Sequence, residues 1–311
     1  MSTRSGLVIG GGSAGRRHAE NLNDLGLDVL MVSHQKDLAF PSFSSLEEAL
    51  KSGPKYDVAV ICSPTSMHEP HFETLYSLSI PTLVEKPFCD SFQSAQKWEE
   101  CVDSNHRVAY LLRYHPVVKE VIRLLPKCGE VFLASFRFGQ YLPFWRPGRD
   151  YRDTYSAKKE LGGGVILDSS HEIDLITYLL GKPKKIFGTA RKISPLEISS
   201  EDYGAARFEM KNGALVDLHL NYIQRIPERV LTIDGETGGI YANLLTGEVS
   251  FQDNGEISRS EVDIDRGTIF REELKSFLFS RAECVLPTVS EACEVVKIAE
   301  AIKYGVNGEK R

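Results

Sequence analysis

The 311-residue sequence predicts an α/β protein in two parts. The first is a doubly wound parallel sheet; the second is an α+β domain with a large, mostly antiparallel sheet. Three observations predict this. Short buried apolar runs alternate with helical spacings up to residue 118. Beyond it, strands follow one another with few helices. A glycine-rich turn joins the first strand to the first helix.

The elements read in order. Leu7-Val8-Ile9 is a buried strand, Ala14 to Leu25 has helical spacing, and Val29 to Val32 is a second strand. Ser45 to Lys51 is a short helix, opened by a capping box at Ser44-x-x-Glu47. Asp57 to Cys62, Thr82 to Val84 and Val108 to Leu112 are further strands, separated by helices at Glu69 to Leu78 and Ser91 to Ser104. This first domain is expected over residues 1–118. In the second, 119–311, Val117 to Leu125 begins as a helix at the boundary. Strands follow at Val131 to Phe138, Lys184 to Lys192, Gly204 to Met210, Ala214 to Tyr222 and Val230 to Asp234, with Asn212-Gly213 as a hairpin turn. Helices return at Phe270 to Ser280 and Glu291 to Tyr304.

Bulk properties exclude several classes. A net charge of -6 gives no electrostatic case for nucleic acid or an anionic membrane. No apolar run approaches the roughly 20 residues of a membrane span. Met1-Ser2-Thr3-Arg4 leads straight into a strand rather than a signal-peptide apolar region. Cys62, Cys89, Cys101, Cys128, Cys284 and Cys293 form no CxxC pair, which reads as free thiols in a reducing, cytoplasmic setting with no metal site.

Gly10-Gly11-Gly12-Ser13-Ala14-Gly15 satisfies G-x-G-x-x-G between a strand and a helix. That is the phosphate-binding turn of a Rossmann domain, with the pyrophosphate over the helix N-terminus. Gly10, Gly12, Ser13, Ala14, Gly15 and Arg16 are the expected contacts. The second strand ends in Ser33-His34-Gln35-Lys36 with no acid before Asp37. The missing ribose-binding carboxylate favours NADP over NAD, with Ser33, His34 and Lys36, and Arg16 or Arg17, toward a 2'-phosphate; solvated loop residues are the alternative. Ser63, Pro64, Thr65 and His68 follow the third of the main strands, where ligands bind in this architecture. His68 is expected beside the nicotinamide or pyrophosphate, or else capping its own turn. Glu85-Lys86-Pro87 ends the next strand, where Glu85 and Lys86 are expected cofactor contacts and Lys86 is also placed to stabilise alkoxide charge on a substrate.

These motifs, with Arg113-Tyr114-His115-Pro116, Gly162-Gly163-Gly164 through Asp168, His171 and Asp174, and Glu273-Leu274-x-x-Phe277, resemble the Gfo/Idh/MocA family of pyridine-nucleotide oxidoreductases along nearly the whole chain. The resemblance implies hydride transfer at a sugar, cyclitol or related carbinol carbon. It maps catalysis onto Lys86, Asp168 and His171, and implies a homo-oligomer, dimer or tetramer, formed through the open sheet. The residues support it separately. Ser169-x-x-Glu172 reads as a capping box, placing His171 in a helix's first turn, where the dipole disfavours imidazolium and Asp168 or Asp174 favours it. One departure stands out: Asp168 and His171 are three apart, whereas the commoner pattern is D-x-G-x-H. That spacing keeps two alternatives open, a cofactor-binding sensor without catalysis and an internal-redox enzyme with a tightly held cofactor.

Tyr141 to Arg152 is dense in aromatic and arginine residues. Rings stack on carbohydrate faces, and guanidinium groups grip phosphate or carboxylate. Trp145, Arg146, Tyr151, Arg152 and Tyr155 are the expected substrate contacts, unless the loop packs its aromatics into the protein. Within the family the loop is similar to that of members linked to surface-glycan sugars, implying an amino sugar or nucleotide-linked sugar.

Overall fold

A computed structural model describes residues 4–253 and 255–305. The expectations at Met1–Thr3 and at residues 306–311 lie outside the described residues. The chain divides into two compact units, residues 1–111 with 266–294, and residues 112–265 with 295–311.

In the first unit β1 (Ser5–Ile9), α1 (Ser13–Asp24), β2 (Asp28–Val32), β3 (Ser42–Phe43), α2 (Leu46–Ser52), β4 (Val58–Ile61), α3 (His68–Ser77), β5 (Thr82–Glu85), α4 (Phe92–Ala95) and β6 (His106–Ala109) follow in order. The strands form one parallel sheet, ordered β3-β2-β1-β4-β5-β6. Strand order reverses at β1, which pairs with both β2 and β4, so the ligand crevice of this architecture opens beyond the ends of β1 and β4. Leu7, Val8, Val60, Ile61, Leu83 and Val84 are fully buried or nearly so, as strands covered on both faces require.

The second unit carries α5 (Pro116–Leu124), β7 (Val131–Gly139), α6 (Val165–Asp168), α7 (Ser170–Leu180), and β8 (Pro183–Arg191), β9 (Tyr203–Met210), β10 (Leu215–Asn221), β11 (Glu228–Gly235), β12 (Gly238–Asn243), β13 (Glu248–Asp253) and β14 (Glu256–Glu261). Its sheet runs β14-β13-β12-β11-β7-β10-β9-β8, antiparallel except for the β7–β10 pair. One face buries Val216, Leu218 and Leu220 of β10 with Ala134 and Phe136 of β7. The opposite face exposes Leu133, Leu215 and Phe187. Two helices follow in the chain, α8 (Arg266–Phe279) and α9 (Val289–Tyr304). No helix among the described residues is long and apolar enough to cross a membrane.

Several local expectations change. The capping box of α2 is one residue later: Ser45 accepts from the Glu48 N–H at 3.1 Å, and the Glu48 carboxylate accepts from the Ser44 N–H at 2.9 Å. The helix expected over Ser91 to Ser104 is only α4 followed by a 3-10 turn at Gln96–Trp98, which seats the indole against Phe72 and lets its N–H reach Glu69 at 3.0 Å. Strands β12 to β14 lie beyond the sequence expectations; β14 is exposed along its length and shows no apolar face. The domain division is discontinuous rather than a single break at 118. α8 returns to the first unit and packs on α1, with the Arg17 guanidinium 4.3 Å from the Phe270 ring centre. Arg17 is thereby turned to α8, and Arg16 alone of the pair faces the end of β2.

Candidate active site

Two clusters, one in each unit, hold the residues that the sequence singles out. In the first unit the glycine turn follows β1. A Cβ on Gly15 would lie 1.9 Å from the Gly10 carbonyl oxygen, so only glycine lets α1 start this close to the turn. Around Gly12 the space is open, with nothing within 4 Å of an added Cβ. Gly12 caps α1 without a side-chain bond, and no acid stands in the first turn. The leading amides of Ser13, Ala14 and Gly15 are therefore available to an anion. This exposed backbone cradle fits a dinucleotide pyrophosphate.

Beyond β2 the chain gathers around Arg16. Its guanidinium donates to the Gly11 carbonyl at 3.0 Å, the Asp37 carbonyl at 2.6 Å and the Gln35 amide oxygen at 3.0 Å. Ser33 Oγ accepts from the Gln35 N–H at 3.1 Å, and His34 and Lys36 are exposed beside it. The structure thus brings Arg16, Ser33, His34 and Lys36 to one end of the turn, and adds Gln35, which sequence reasoning passed over.

The loops after β4 and β5 are tied together by buried polar groups. His68 is 2% exposed. Its Nδ1 lies 2.8 Å from the Pro87 carbonyl and its Nε2 2.7 Å from the Ser63 carbonyl. Carbonyls only accept, so both bonds form together only on a protonated ring. Burial opposes this and holds the His68 pKa below its ordinary value, with the two carbonyls pulling it back up. Ser63 Oγ meets His71 Nδ1 at 3.1 Å, Pro64 is exposed, and Thr65 is buried at the start of a 3-10 turn. Glu85 faces His18 of α1 at 2.9 Å. Burial raises its pKa, but the hydrogen bond and charge of His18 and the charge of Lys86 win, leaving the carboxyl below its ordinary range. Glu85 and His68, read from sequence as cofactor contacts, thus serve the loops that present half-buried Lys86.

Glu273 of α8 is a further buried acid. It is fully buried, and neither oxygen has a hydrogen-bond partner among the described residues. Burial, then the charge of Glu85, pushes its pKa well above the carboxylate range. The sequence carried a signal: Phe270, Glu273, Leu274 and Phe277 follow the i, i+3, i+4, i+7 spacing of a core face.

In the second unit Asp168 ends α6 and His171 opens α7; both are 7% exposed. Asp168 is a hub. It accepts from Ser156 Oγ at 2.7 Å, from Tyr222 Oη at 2.9 Å and from the Tyr155 hydroxyl. Burial first, then the Asp168 charge, raises both tyrosine pKa values well above their ordinary value, keeping the hydroxyls as donors. The glycine run admits this packing: at Gly164, with φ +116°, a Cβ would sit 2.3 Å from the Glu201 carboxylate. The one-residue contraction between Asp168 and His171 falls where α6 gives way to α7 at Ser169.

The capping box expected there is absent. Ser169 has φ -100° and ψ 28°, not the extended backbone a capping serine needs, and its side chain makes no cap bond. Its own N–H is bonded back to the Val165 carbonyl, because α6 feeds directly into α7. Glu172 instead pairs with Arg229 of β11 at 2.7 Å. Asp174 accepts from Nε and Nη2 along one edge of Arg113, at 2.7 to 3.2 Å, which anchors α7.

The aromatic-arginine loop meets the same hub. The Trp145 ring stands edge-on to Tyr222 at 5.1 Å, its N–H donating to the Gln140 carbonyl, and Arg146 lies 5.3 Å from the Tyr155 ring centre. Arg152 is bound by Asp150 at 2.5 Å and by Glu197 at 3.3 Å, while Tyr151 Oη accepts from the Glu197 N–H. Arg152 and the Tyr151 hydroxyl are thus held within the loop by Asp150 and Glu197. Ser156 and Tyr222 were missed in the sequence. The period-2 pattern Val216, Leu218, Leu220 already puts Tyr222 on the buried face, where a hydroxyl needs a partner.

Comparisons with known proteins follow this geometry. The model of the oxidoreductase family with an NAD-binding Rossmann fold matches residues 5–112, and that of the GFO/IDH/MocA C-terminal domain matches residues 122–241. The chain belongs to the Gfo/Idh/MocA family. It is an NAD-binding oxidoreductase family, and the two matched regions take in the parallel sheet and, in the second sheet, β7 to β11 with the start of β12. Levoglucosan dehydrogenase in complex with NADH is similar in structure, with a TM-score of 0.83 and 16% identity over 97% of this chain and 96% of that one. UDP-N-acetylglucosamine 3-dehydrogenase from Acidithiobacillus ferrooxidans follows at 0.79 and 20%, covering 98% of each. GenD2 from gentamicin A biosynthesis, in complex with NAD, gives 0.78 and 22%, covering 98% and 94%. At these identities the likeness establishes the fold. Curated protein sequences give no match.

Proposed function

We propose that this protein is a pyridine-nucleotide-dependent dehydrogenase or reductase acting on a carbinol or ketone carbon of a sugar or sugar derivative. The observation that carries the reading is the open glycine cradle at the strand-order reversal, with Lys86 just past the end of β5, two strands along the same sheet. When bound, the nicotinamide supplies the hydride-exchanging ring. Lys86 supports negative charge on the reacting oxygen. His171 takes or returns the hydroxyl proton. Asp168, which accepts from three hydroxyl donors, acts as a positioning residue that holds Tyr155 and Tyr222.

NADP is the favoured cofactor. No carboxylate occupies positions 33–36, and Arg16 reaches across to that segment. Structures of this fold solved with NADH or NAD show that the fold accepts the other form, so the preference rests on this chain's own residues. A sugar-like substrate is supported by levoglucosan dehydrogenase, solved with NADH and levoglucosan, and by the aromatic loop beside Asp168. An amino sugar or nucleotide-linked sugar is the narrower expectation. The exposed sheet face with Leu133, Leu215 and Phe187 suits a cytoplasmic homo-oligomer, dimer or tetramer; a monomer in solution scattering would contradict that. The function itself is tested by following nicotinamide reduction with NADP and NAD across neutral, amino and nucleotide-linked sugars. Turnover with at least one is expected. Cofactor binding with no hydride exchange across the panel would point to a regulatory protein instead.

A further inference from the structure

Two histidines of α3 hold Ser63. The serine stands just past β4, against the glycine turn: its amide nitrogen would lie 2.9 Å from a Cβ on Gly10. Its carbonyl meets His68 Nε2 at 2.7 Å, and its hydroxyl meets His71 Nδ1 at 3.1 Å. The two rings are one helical turn apart and share a face of α3. His68 is buried, with both ring nitrogens on carbonyls. His71 is half-buried and pairs with no carboxylate among the described residues. Its Nε2 has no hydrogen bond among them and is open to solvent. Burial, then the charge of His68, holds the His71 pKa below the ordinary histidine value. The other titratable groups around α3 act elsewhere. Glu85 pairs with His18, Glu85 and Lys86 act on His68, and Lys97 is held by Glu69 and Glu73. Burial pushes the Cys62 thiol up, so it carries no charge.

We propose that His71 is a positioning residue for the cofactor, which takes up a proton when a dinucleotide fills the cradle and so turns the Ser63 hydroxyl toward the phosphates. This rests on the cofactor reading above. A neutral imidazole protonated on Nε2 leaves Nδ1 as an acceptor. Ser63 then donates to His71, and only serine lone pairs are left for the crevice, where they repel phosphate oxygens. An imidazolium has no acceptor. Its Nδ1–H donates to Ser63 Oγ, which frees the serine proton for a phosphate oxygen. Negative charge in the cradle favours the imidazolium, and the freed hydroxyl adds a hydrogen bond to an ionised acceptor. The step is the gain of one proton from solvent, leaving N–H on both ring nitrogens.

Calorimetric titration of the full-length protein with NAD and with NADP tests this without requiring turnover. Two buffers of unlike ionisation enthalpy, at about pH 7, report the protons taken up on binding. We expect uptake in wild type that His71→Gln lacks; any proton gained by the dinucleotide itself is common to both and cancels in the difference. The His71 pKa is higher in the bound state. Affinity is therefore greatest below the free-state pKa and falls as pH rises through the bound-state value. A bound pKa about one unit above the free one makes that fall about tenfold. His71→Gln should flatten the profile by that factor. Ser63→Ala removes the hydroxyl that carries the coupling, and should lose affinity mainly at low pH. The proposal is overturned if wild type and His71→Gln share one proton uptake and one pH profile, or if Ser63→Ala weakens binding equally at every pH. Absence of NAD and NADP binding would overturn the cofactor reading and this proposal with it. Binding with no pH-dependent difference between wild type and His71→Gln would sink this proposal alone.

Discussion

Tyr222→Phe isolates one bond of the Asp168 hub. Tyr222 is fully buried, and its hydroxyl lies 2.9 Å from an Asp168 oxygen that also accepts from Ser156 at 2.7 Å. Removing the hydroxyl leaves an aromatic ring of the same shape, so the cavity term is small. What is lost is one hydrogen bond to a buried carboxyl group, about 1.5–3 kcal/mol when the acceptor is charged. Asp168 is 7% exposed, so water replaces little of it. Urea unfolding of wild type and variant should show that loss as a lower midpoint with an unchanged slope. Tyr155→Phe removes a second donor from the same carboxylate. The double variant should depart from additivity by about 0.5–3 kcal/mol, as for groups sharing one network. A Tyr222→Phe effect below about 0.5 kcal/mol, with strict additivity, would refute the hub, since surface-like changes fall within that range.

Three further outcomes follow from the first unit. Glu273 has a raised pKa in the folded state, so its neutral form stabilises the fold fully below about pH 4.5, and that stability drains away as pH rises through the folded value. Glu273→Gln should therefore gain on wild type from pH 5 to pH 8 in thermal unfolding; a constant gap would remove the buried neutral acid from the account. Glu85 is shifted downward, so its contribution is present above about pH 4.5 and fades as pH falls through the folded value. Glu85→Gln should be less stable than wild type near neutrality and converge with it in acid, and no convergence would mean that the His18 pair contributes nothing. Arg16→Met should weaken NADP more than NAD by about tenfold, the worth of a charge-assisted bond, in fluorescence titration; equal weakening would leave Arg16 a loop brace only.

The parallel sheet was legible because its strands are continuous apolar runs and its first turn is spelled in glycine. Lys86 was legible for the same reason, standing where a buried strand ends. The hub was less so. Asp168 and Tyr155 could be named, but their partners Ser156 and Tyr222 come from a loop and from the residue just past β10, 54 residues beyond Asp168, brought together only by the sheet. Arg152 pairs with Glu197, a partner 45 residues on that local sequence hides. Ser169 misled because a capping pattern assumes a free helix end, and here one helix runs into the next. The return of α8 to the first unit is a tertiary contact with no local sign, although Glu273 on its apolar stripe marked the helix as unusual.

Lys86→Met tests the central claim most directly. Purified variant and wild type are titrated with NADP and NAD, then assayed for nicotinamide reduction on any sugar that the wild type oxidises. The account predicts unchanged cofactor affinity and turnover lower by orders of magnitude, because the side chain acts on the reacting oxygen rather than on the dinucleotide. Wild-type turnover in the variant would contradict it.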